Sequence, residues 1–553
     1  MNSNARIALA LSALGLSAAV LACASGSTEP VPESAPAIDV APAQSGPAFM
    51  AGQRCALCHS SSPRANAMKD RNGNDVSPHF TWSATTMANS FRDPYWRAQM
   101  AHEIEVEPQA KAAIEGLCLR CHAPMASHQA RLDGLAPPTI EAASADPLAQ
   151  DGVSCTVCHQ ANPSSFGRPE SFSGRLDIRN DKRIYGPFEN PAPGPMRMHT
   201  GYTPTHGEHI SESGLCGSCH TLYTQAAGAD QPFLEQAPYL EWRNSVFSDE
   251  GGASEQSRSC TQCHMPNNGP MRIARMPPGG DFNIRVRDNV RSHTFVGGNA
   301  FLLDLLAANA AELGVTASPD ALRAAAQATR AQLAHETARI EVQHVERTAT
   351  QLRFDVQVEN LAGHKLPSGY PSRRAWLHVE VRAGSTLVFT SGATDDDGRL
   401  LGVADEFAEP HHDTIERTDQ VQIYEMIALN AAGQPTTSLA EMVVHRKDTR
   451  LLPRGWRENG PHADETRPVG IEGDGDFADG RDTVHYSLAL PASAAGNLTV
   501  IARLEYQTIP PGWADGLRDS KTPEAQTFLR MYDEAPKTAE TLAITATIVP
   551  ATN

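Results

Sequence analysis

The sequence predicts an α+β multidomain protein, with a mainly helical and irregular front part followed by an antiparallel β-sandwich. Five copies of one short cysteine–histidine pattern lie within residues 55–264, interrupted by Pro- and Gly-rich stretches. Residues 339–553 contain several segments that alternate apolar and polar residues with a period of two, which is typical of half-buried strands. Between these parts, residues 299–338 carry two stretches with the apolar spacing of helices.

Composition limits the classes of function. The chain has 553 residues, of which 40% are hydrophobic and 20% charged, so it can bury a sizeable core. Its formal net charge of −18 argues against nucleic acid and against an anionic membrane surface as partners. The sequence contains no Ser-His-Asp, Walker or dinucleotide-binding signature that would suggest another activity.

The N-terminus predicts export. Residues 1–22 have one Arg in a short polar start and then an apolar run, as in a secretory signal peptide. The run ends in "VLAC", which resembles a bacterial lipobox and predicts lipidation of Cys23; ordinary cleavage after Ala24 is the alternative. Residues 23–48 are rich in Pro, Ser and Ala and predict a disordered tether. We therefore expect a periplasmic or outer-membrane protein that is anchored to the membrane by lipid.

The repeated pattern is Cys-x-x-Cys-His, the attachment signal for c-type haem. Two thiols a turn apart can add to the two vinyl groups of haem, and the adjacent histidine then reaches the iron as its proximal ligand. Zinc sites, redox motifs and disulfide frameworks also use paired cysteines but leave the five histidines unexplained. Residues 49–298 are therefore predicted to form a domain with five covalently attached haem c groups. The attaching residues are Cys55, Cys58, His59; Cys118, Cys121, His122; Cys155, Cys158, His159; Cys216, Cys219, His220; and Cys260, Cys263, His264.

The second axial ligand decides the class of function, because a six-coordinate haem carries electrons whereas an open face can bind a substrate. Residues 50–300 hold seven further histidines, enough for bis-His ligation of five irons. The predicted distal ligands are His128, His199, His209, His293 and, from the second half, His364. His79, His102 and His206 remain open, and a methionine can replace histidine at one iron. The methionines considered are Met87, Met100 and Met125.

The second half contains one unusual loop among its predicted strands. His364 lies in "NLAGHKLPSGYPSRRAW", where Gly and Pro stiffen the chain, and it is placed to reach across a domain interface to an iron. Arg373 and Arg374 follow and are candidate partners of haem propionates. The pair His411 and His412 and the acidic turns at 395–397 and 474–482 are weaker candidates for a metal site, because such sequences more often form simple turns.

Several segments around the motifs extend beyond the haem signal itself. Four sequence segments resemble the cytochrome c-554-type multihaem family, whose members are relatives of hydroxylamine oxidoreductase. They are "DGVSCTVCH", "LCGSCHTL", "CTQCHMP" and "HTFVGGN". The segment "GHKLPSG" in the second half resembles a recurrent sequence motif of the same proteins. The resemblance implies helical haem domains and roles in electron transfer or in nitrogen and sulfur redox chemistry. Pentahaem nitrite reductases carry a Cys-x-x-Cys-Lys motif, which this sequence lacks.

Three functions follow as hypotheses. The favoured one is an exported pentahaem cytochrome that transfers electrons between respiratory redox partner proteins through closely packed, mostly bis-His haems. The alternative is a reductase or oxidase of a small nitrogen or sulfur oxyanion, an inorganic substrate that would bind at one open haem. The third makes the β-sandwich a docking or mineral-binding module supplied with electrons by the haems.

Overall fold

Short helices build the part of the chain that carries the five motifs. The structure, a computed structural model, describes residues 47–552, so the predicted signal peptide, Cys23 and nearly all of the predicted tether lie outside the described residues. Ala48 is already fully buried, so packed structure is present from that residue on. The helices of this part are α1 Gly52–His59, α2 Pro78–Ser83, α3 Pro94–Val106, α4 Lys111–His122, α5 Pro124–Leu132, α6 Ile140–Ala145, α7 Pro147–Gln150, α8 Cys155–Cys158, α9 Pro193–Thr200, α10 Ser213–Gly217, α11 Pro238–Arg243 and α12 Cys260–His264.

Proline sets the start of many of these helices. It occupies the first position of α2, α3, α5, α7, α9 and α11, where the missing N–H has no partner within the helix anyway. Asp93 caps α3 by accepting the N–H groups of Tyr95 and Trp96. Two small sheets join the helices: a parallel pair of β1 Arg183–Gly186 with β2 Thr203–His206, and an antiparallel pair of β3 Leu222–Thr224 with β4 Phe233–Gln236.

Two longer helices follow the last motif. They are α13 Ala300–Ala308 and α14 Pro319–Glu336, and they coincide with the two helical stretches that apolar spacing predicts. Ser318 caps α14 by accepting the N–H of Ala321. Both helices pack against each other through buried leucines and alanines.

The second half contains two sheets with a common hydrophobic core. One has the order β9-β14-β6-β5, and the other has the order β10-β7-β15-β16 with β8 beside β7; apart from the short β14–β9 pair, neighbours are antiparallel. The long strands match the segments with period-two alternation, and β6 buries Leu352, Phe354, Val356 and Val358. The antiparallel sandwich is therefore confirmed. The strands are β5 Ala338–Arg347, β6 Gln351–Asn360, β7 Arg374–Ala383, β8 Thr386–Ser391, β9 Thr414–Ile415, β10 Ile423–Tyr424, β14 Arg481–Ala489, β15 Leu498–Gln507 and β16 Glu540–Val549.

A third small sheet and three further helices attach to the sandwich. The sheet has the order β12-β11-β13 and is made of β11 Met426–Leu429, β12 Pro435–Thr436 and β13 Val444–Asp448. The helices are α15 Ala463–Thr466, α16 Pro511–Asp515 and α17 Pro523–Glu534. Thr522 caps α17 by accepting the N–H of Ala525.

The haem-motif part and the sandwich share buried side chains. Tyr95 of α3 and Leu302 of α13 lie in one hydrophobic cluster with Trp513 of α16 and Phe528 of α17. The described residues, 47–552, accordingly form one compact unit. No helix in residues 47–552 is both long and apolar enough to cross a membrane.

Candidate functional site

One continuous cavity of about 1560 Å³ runs through the haem-motif part and reaches the edge of the sandwich. Its walls include both cysteines and the histidine of every motif. Each motif lies on a short helix or begins on one, which puts its two thiols and its imidazole on the same wall. Fifteen residues that are spread over more than 200 positions of sequence therefore face one space.

Backbone carbonyls fix the orientation of four of the five motif histidines. A carbonyl oxygen can only accept, so the Nδ1 atom of each of these rings carries the hydrogen and Nε2 keeps its lone pair. This is the tautomer that binds a metal through Nε2 with a hydrogen-bonded carbonyl behind it. The Nδ1–oxygen distances are 2.8 Å from His59 to Ile273, 2.9 Å from His122 to Ser90, 2.6 Å from His159 to Tyr185 and 2.6 Å from His264 to Val296.

Burial keeps these imidazoles neutral. It lowers the pKa of His122 and of His220 to about 4, and it also lowers the pKa values of His59, His159 and His264. Only a neutral imidazole offers a lone pair to a metal. The five histidines are therefore ready to bind iron at neutral pH without losing a proton.

Two motif histidines face a second histidine across the cavity. The ring centroids of His159 and His293 are 6.3 Å apart with planes at 19°, and those of His264 and His364 are 6.2 Å apart with planes at 7°. A metal–imidazole bond is about 2 Å long and the ring centre lies about 1 Å beyond the nitrogen, so two rings on opposite sides of one iron have centroids about 6 Å apart. Both pairs fit bis-His ligation of one iron each.

The other predicted distal histidines are placed differently. His199 lines the cavity at its exposed edge, and Arg54 beside the first motif donates to its backbone oxygen. His128 and His209 are buried but do not line the cavity. The Nε2 atom of His209 lies 3.1 Å from the carbonyl of Ala161. The pKa of His128 is lowered to about 3 by burial.

One histidine that sequence reasoning left open does line the cavity. His79 lies on α2, and burial lowers its pKa. Nothing in its local sequence distinguishes it from His102, which lies outside the cavity wall beside Glu105. Of the methionines considered, Met87 and Met100 line the cavity. Met125 is fully buried in a hydrophobic cluster, where its sulfur accepts from Thr156.

The motif cysteines approach each other in pairs. The hydrogen bond with Cys155 lowers the pKa of the Cys55 thiol, that with Cys219 lowers the pKa of Cys121, and that with Cys216 lowers the pKa of Cys260. Thioether formation removes these protons, but the proximity remains. Motif one therefore adjoins motif three, motif two adjoins motif four, and motif four adjoins motif five.

A longer-range electrostatic effect relates these pairs to each other. The hydrogen bond with Cys260, burial and the neighbouring charge of Cys158 together raise the pKa of Cys216. Cys158 also raises the pKa of Cys219, after the larger effects of Cys121 and burial. Motif three is thus close enough to motif four for Cys158 to act electrostatically on both of its thiols, which relates all five attachment sites to one another.

The two arginines proposed for propionates differ in their surroundings. Arg373 lines the cavity, and it donates to the carbonyl of Ser368 and to Asn299. Arg374 points into the sandwich, where Glu406 lies 3.1 Å away and Gln507 accepts two further hydrogen bonds. Arg373 therefore remains available to a carboxylate in the cavity, whereas the guanidinium of Arg374 is already paired.

The carboxyl group of Glu235 lies beside the second motif. Glu235 is fully buried and its Oε2 atom has no hydrogen-bond partner within residues 47–552. Burial raises the pKa of Glu235 to about 8, and this carboxyl contributes, after burial itself, to raising the pKa of the Cys118 thiol. Tyr95 and Tyr370 line the same part of the cavity with ring centroids 5.6 Å apart. The second motif thus faces two buried acidic side chains, because Glu103 also lines the cavity and acts on Cys118.

The acidic turns of the sandwich are mostly satisfied by hydrogen bonds. Asp395 accepts the N–H groups of Asp397 and Arg399, as expected of a simple turn. His411 accepts from Gln422 at Nδ1, so its Nε2–H donates to Asp474 at 2.6 Å. The ligand atoms of His411, Asp474 and Asp482 lie within 4.8 Å of one another, but the lone pair of this imidazole is engaged.

The fold and the site define a chain shaped to attach haem at five places. A similar solved structure is the penta-heme cytochrome c552 from Thermochromatium tepidum, with a TM-score of 0.51 and 15% identity over 90% of this chain and 99% of that one. The likeness extends over both halves and shows a common fold. No protein-family model matches the sequence, and no curated protein does.

Proposed function

We propose that the protein is a multihaem c-type cytochrome that carries five haem c groups and transfers electrons between redox partner proteins. The observation that supports this most strongly is the single cavity whose walls hold all ten motif cysteines and five neutral motif histidines. Bound haem supplies one-electron redox centres. The chain contributes attachment through the thiols, ligation through Nε2 and exclusion of water by the surrounding helices.

The arrangement of the attachment sites supports a relay. Hydrogen bonds between thiols link site one to site three, site two to site four and site four to site five, and the charge effect of Cys158 on Cys216 supports a neighbouring position of sites three and four. At the three hydrogen-bonded links, the short distance between thiols would bring the edges of the attached haems close together. Electrons that enter near site one can therefore leave near site two or near site five.

The spectrum of the purified protein, matured in a host that attaches haem, tests this proposal. We expect five haem additions per chain by mass spectrometry and a predominantly low-spin spectrum. Fewer than five additions would overturn the pentahaem assignment. A spectrum dominated by high-spin iron would overturn the relay, because electron-carrying haems of this kind are six-coordinate.

A second candidate function is the reduction or oxidation of a small nitrogen or sulfur oxyanion at the haem of Cys118 and Cys121. Only four described histidines outside the motifs line the cavity, namely His79, His199, His293 and His364, against five irons. His293 and His364 face the third and fifth motifs, whereas Glu235 lies beside the second motif and Tyr95 and Tyr370 line the same cavity. A protonated carboxyl and two hydroxyls are groups that can donate hydrogen bonds or protons to a bound substrate.

Titration with nitrite, hydroxylamine or cyanide separates the two functions. A high-spin component that shifts with one of these molecules, and that changes in a Glu235→Gln variant, would favour the enzyme. If no component responds and all five irons are low-spin, the fifth distal ligand is supplied by the chain, for which Met87 and Met100 are placed.

We also propose that the protein is exported and anchored by lipid at Cys23, in the periplasm or at the outer membrane. The signal-like residues 1–22 and the need to attach haem outside the cytoplasm support this. Labelling with a fatty acid tests it: the wild type should take up label, and Cys23→Ala should not. Haem content should be equal in both, because Cys23 belongs to no motif.

A further inference from the structure

A buried charge network lies beneath the loop that carries His364. Lys365, the next residue, is completely buried and its Nζ atom is 2.6 Å from Asp448. Arg450 binds both oxygens of the same carboxylate at 2.8 Å. Asp448 is the last residue of β13 and Arg450 lies two residues later, so the small sheet of the sandwich supplies the base of the loop.

The network is completed from the haem-motif part. Glu241 lies on α11 and is fully buried. Its Oε2 atom accepts the backbone N–H of Lys365 at 3.1 Å and the hydroxyl of Ser368 at 2.5 Å, and its Oε1 atom lies 3.1 Å from Arg450. One carboxylate thus holds the loop at two places on either side of its proline and pairs with a cation of the sandwich.

The loop presents its histidine to the cavity. His364 is half-buried, and its Nδ1–H donates to the carbonyl of Lys365 at 2.8 Å, which leaves Nε2 for the cavity. The side-chain amide of Asn360 donates a hydrogen bond to the carbonyl oxygen of His364 at 2.8 Å. The ring then stands 6.2 Å from that of His264, nearly parallel to it. The two imidazoles come from different halves of the chain, 100 positions apart.

The composition of the network indicates a positional role. Two cations and two anions are removed from water together, and such groups are stabilising only while each remains paired. A buried network of this kind permits one arrangement and penalises others, because any shift leaves a charge unpaired. The network therefore fixes the position of α11 against the sandwich, and in this position His364 lies opposite His264.

We propose that Glu241 is a positioning residue that, through Lys365, Ser368 and Arg450, holds His364 as the distal ligand of the haem attached at Cys260 and Cys263. The β-sandwich thereby acts as the module that completes this haem and sets its potential. This inference rests on the proposed function, since it requires iron between the two imidazoles.

The test compares two variants with one control in the full-length, haem-loaded protein. His364→Gly removes the ligand and should convert one haem of five to high spin, and added imidazole should restore the low-spin signal. Glu241→Gln keeps the shape but removes the charge that pairs with Arg450. It should shift the midpoint potential of the same haem or raise its high-spin fraction, with the other four haems unchanged and with partial recovery on adding imidazole.

Glu406→Gln is the matched control, because it breaks the pair between half-buried Glu406 and buried Arg374 of the sandwich, which lies outside the network. It should leave all five haems as in the wild type. If His364→Gly leaves every haem low-spin, the ligand assignment is wrong. If His364→Gly behaves as expected but Glu241→Gln matches Glu406→Gln, the positioning role is wrong while the ligand assignment stands.

Discussion

The imidazole rings of His159 and His293 face each other across the cavity with centroids 6.3 Å apart. His159 follows the third pair of attaching cysteines, whereas His293 lies 134 positions further along the chain, in an irregular segment after the last motif. Burial lowers the pKa of His293 to about 3, so this ring is also neutral at neutral pH. The pair has the spacing and the charge state of two axial ligands of one iron.

His293→Ala should therefore convert one haem of five to high spin, because the iron beside His159 loses its second strong ligand. Electron paramagnetic resonance and the visible spectrum measure the change. His209→Ala is the control: this histidine is buried, but its Nε2 atom is engaged by the carbonyl of Ala161. Equal effects of the two substitutions would contradict the assignment of His293.

Replacing both Cys118 and Cys121 by Ala should reduce the haem content from five to four. The two thiols supply the covalent bonds of one haem, and the other four motifs keep theirs. Intact-mass measurement counts the remaining additions. Loss of more than one haem would show that attachment at one site depends on its neighbours, for which the contact of Cys121 with Cys219 gives a route.

Phe354→Ala should lower the free energy of unfolding by about 3–5 kcal/mol. Phe354 is buried in the centre of the sandwich and stacks on Tyr486 of the paired strand, with centroids 4.8 Å apart. Ile544→Ala on β16 is the control, because that side chain is 61% exposed, and it should change stability by less than about 0.5 kcal/mol. Denaturant unfolding followed by tryptophan fluorescence compares the two.

Asp482 should make stability fall as the pH rises from about 4 to about 7. Burial raises its pKa to about 7 in the folded protein, against about 4 in an unfolded chain. Between these values the folded state binds a proton that the unfolded state has released, so raising the pH favours unfolding. Asp482→Asn cannot ionise, and it should remove a contribution on the order of 4 kcal/mol to this pH dependence.

Asp396→Asn is the comparison for that pH profile, since Asp396 is exposed in a turn. Its profile should follow the wild type. A wild-type profile without a decline between about pH 4 and 7, or one that Asp482→Asn leaves unchanged, would contradict the buried, protonated state of Asp482.

Local sequence was sufficient for the attachment sites and for the long strands. The chemistry of a Cys-x-x-Cys-His segment depends on five consecutive residues, so it can be predicted from the local sequence. The strands β6 and β15 follow from alternation of apolar residues, because side chains of a strand point to opposite faces in turn. The distal ligands could not be obtained in this way, since an isolated histidine such as His79 or His128 has no local pattern that reveals which way it points.

The sequence by itself determined that the chain presents five attachment motifs and a period-two second half, because covalent chemistry and strand alternation are local properties. Only the tertiary structure decided which imidazoles meet. In the fold, His364 of the sandwich lies opposite His264, whereas His209 is hydrogen-bonded to the carbonyl of Ala161. Such pairings depend on packing and buried charges between segments 100 or more positions apart, and no local stretch of sequence contains both partners.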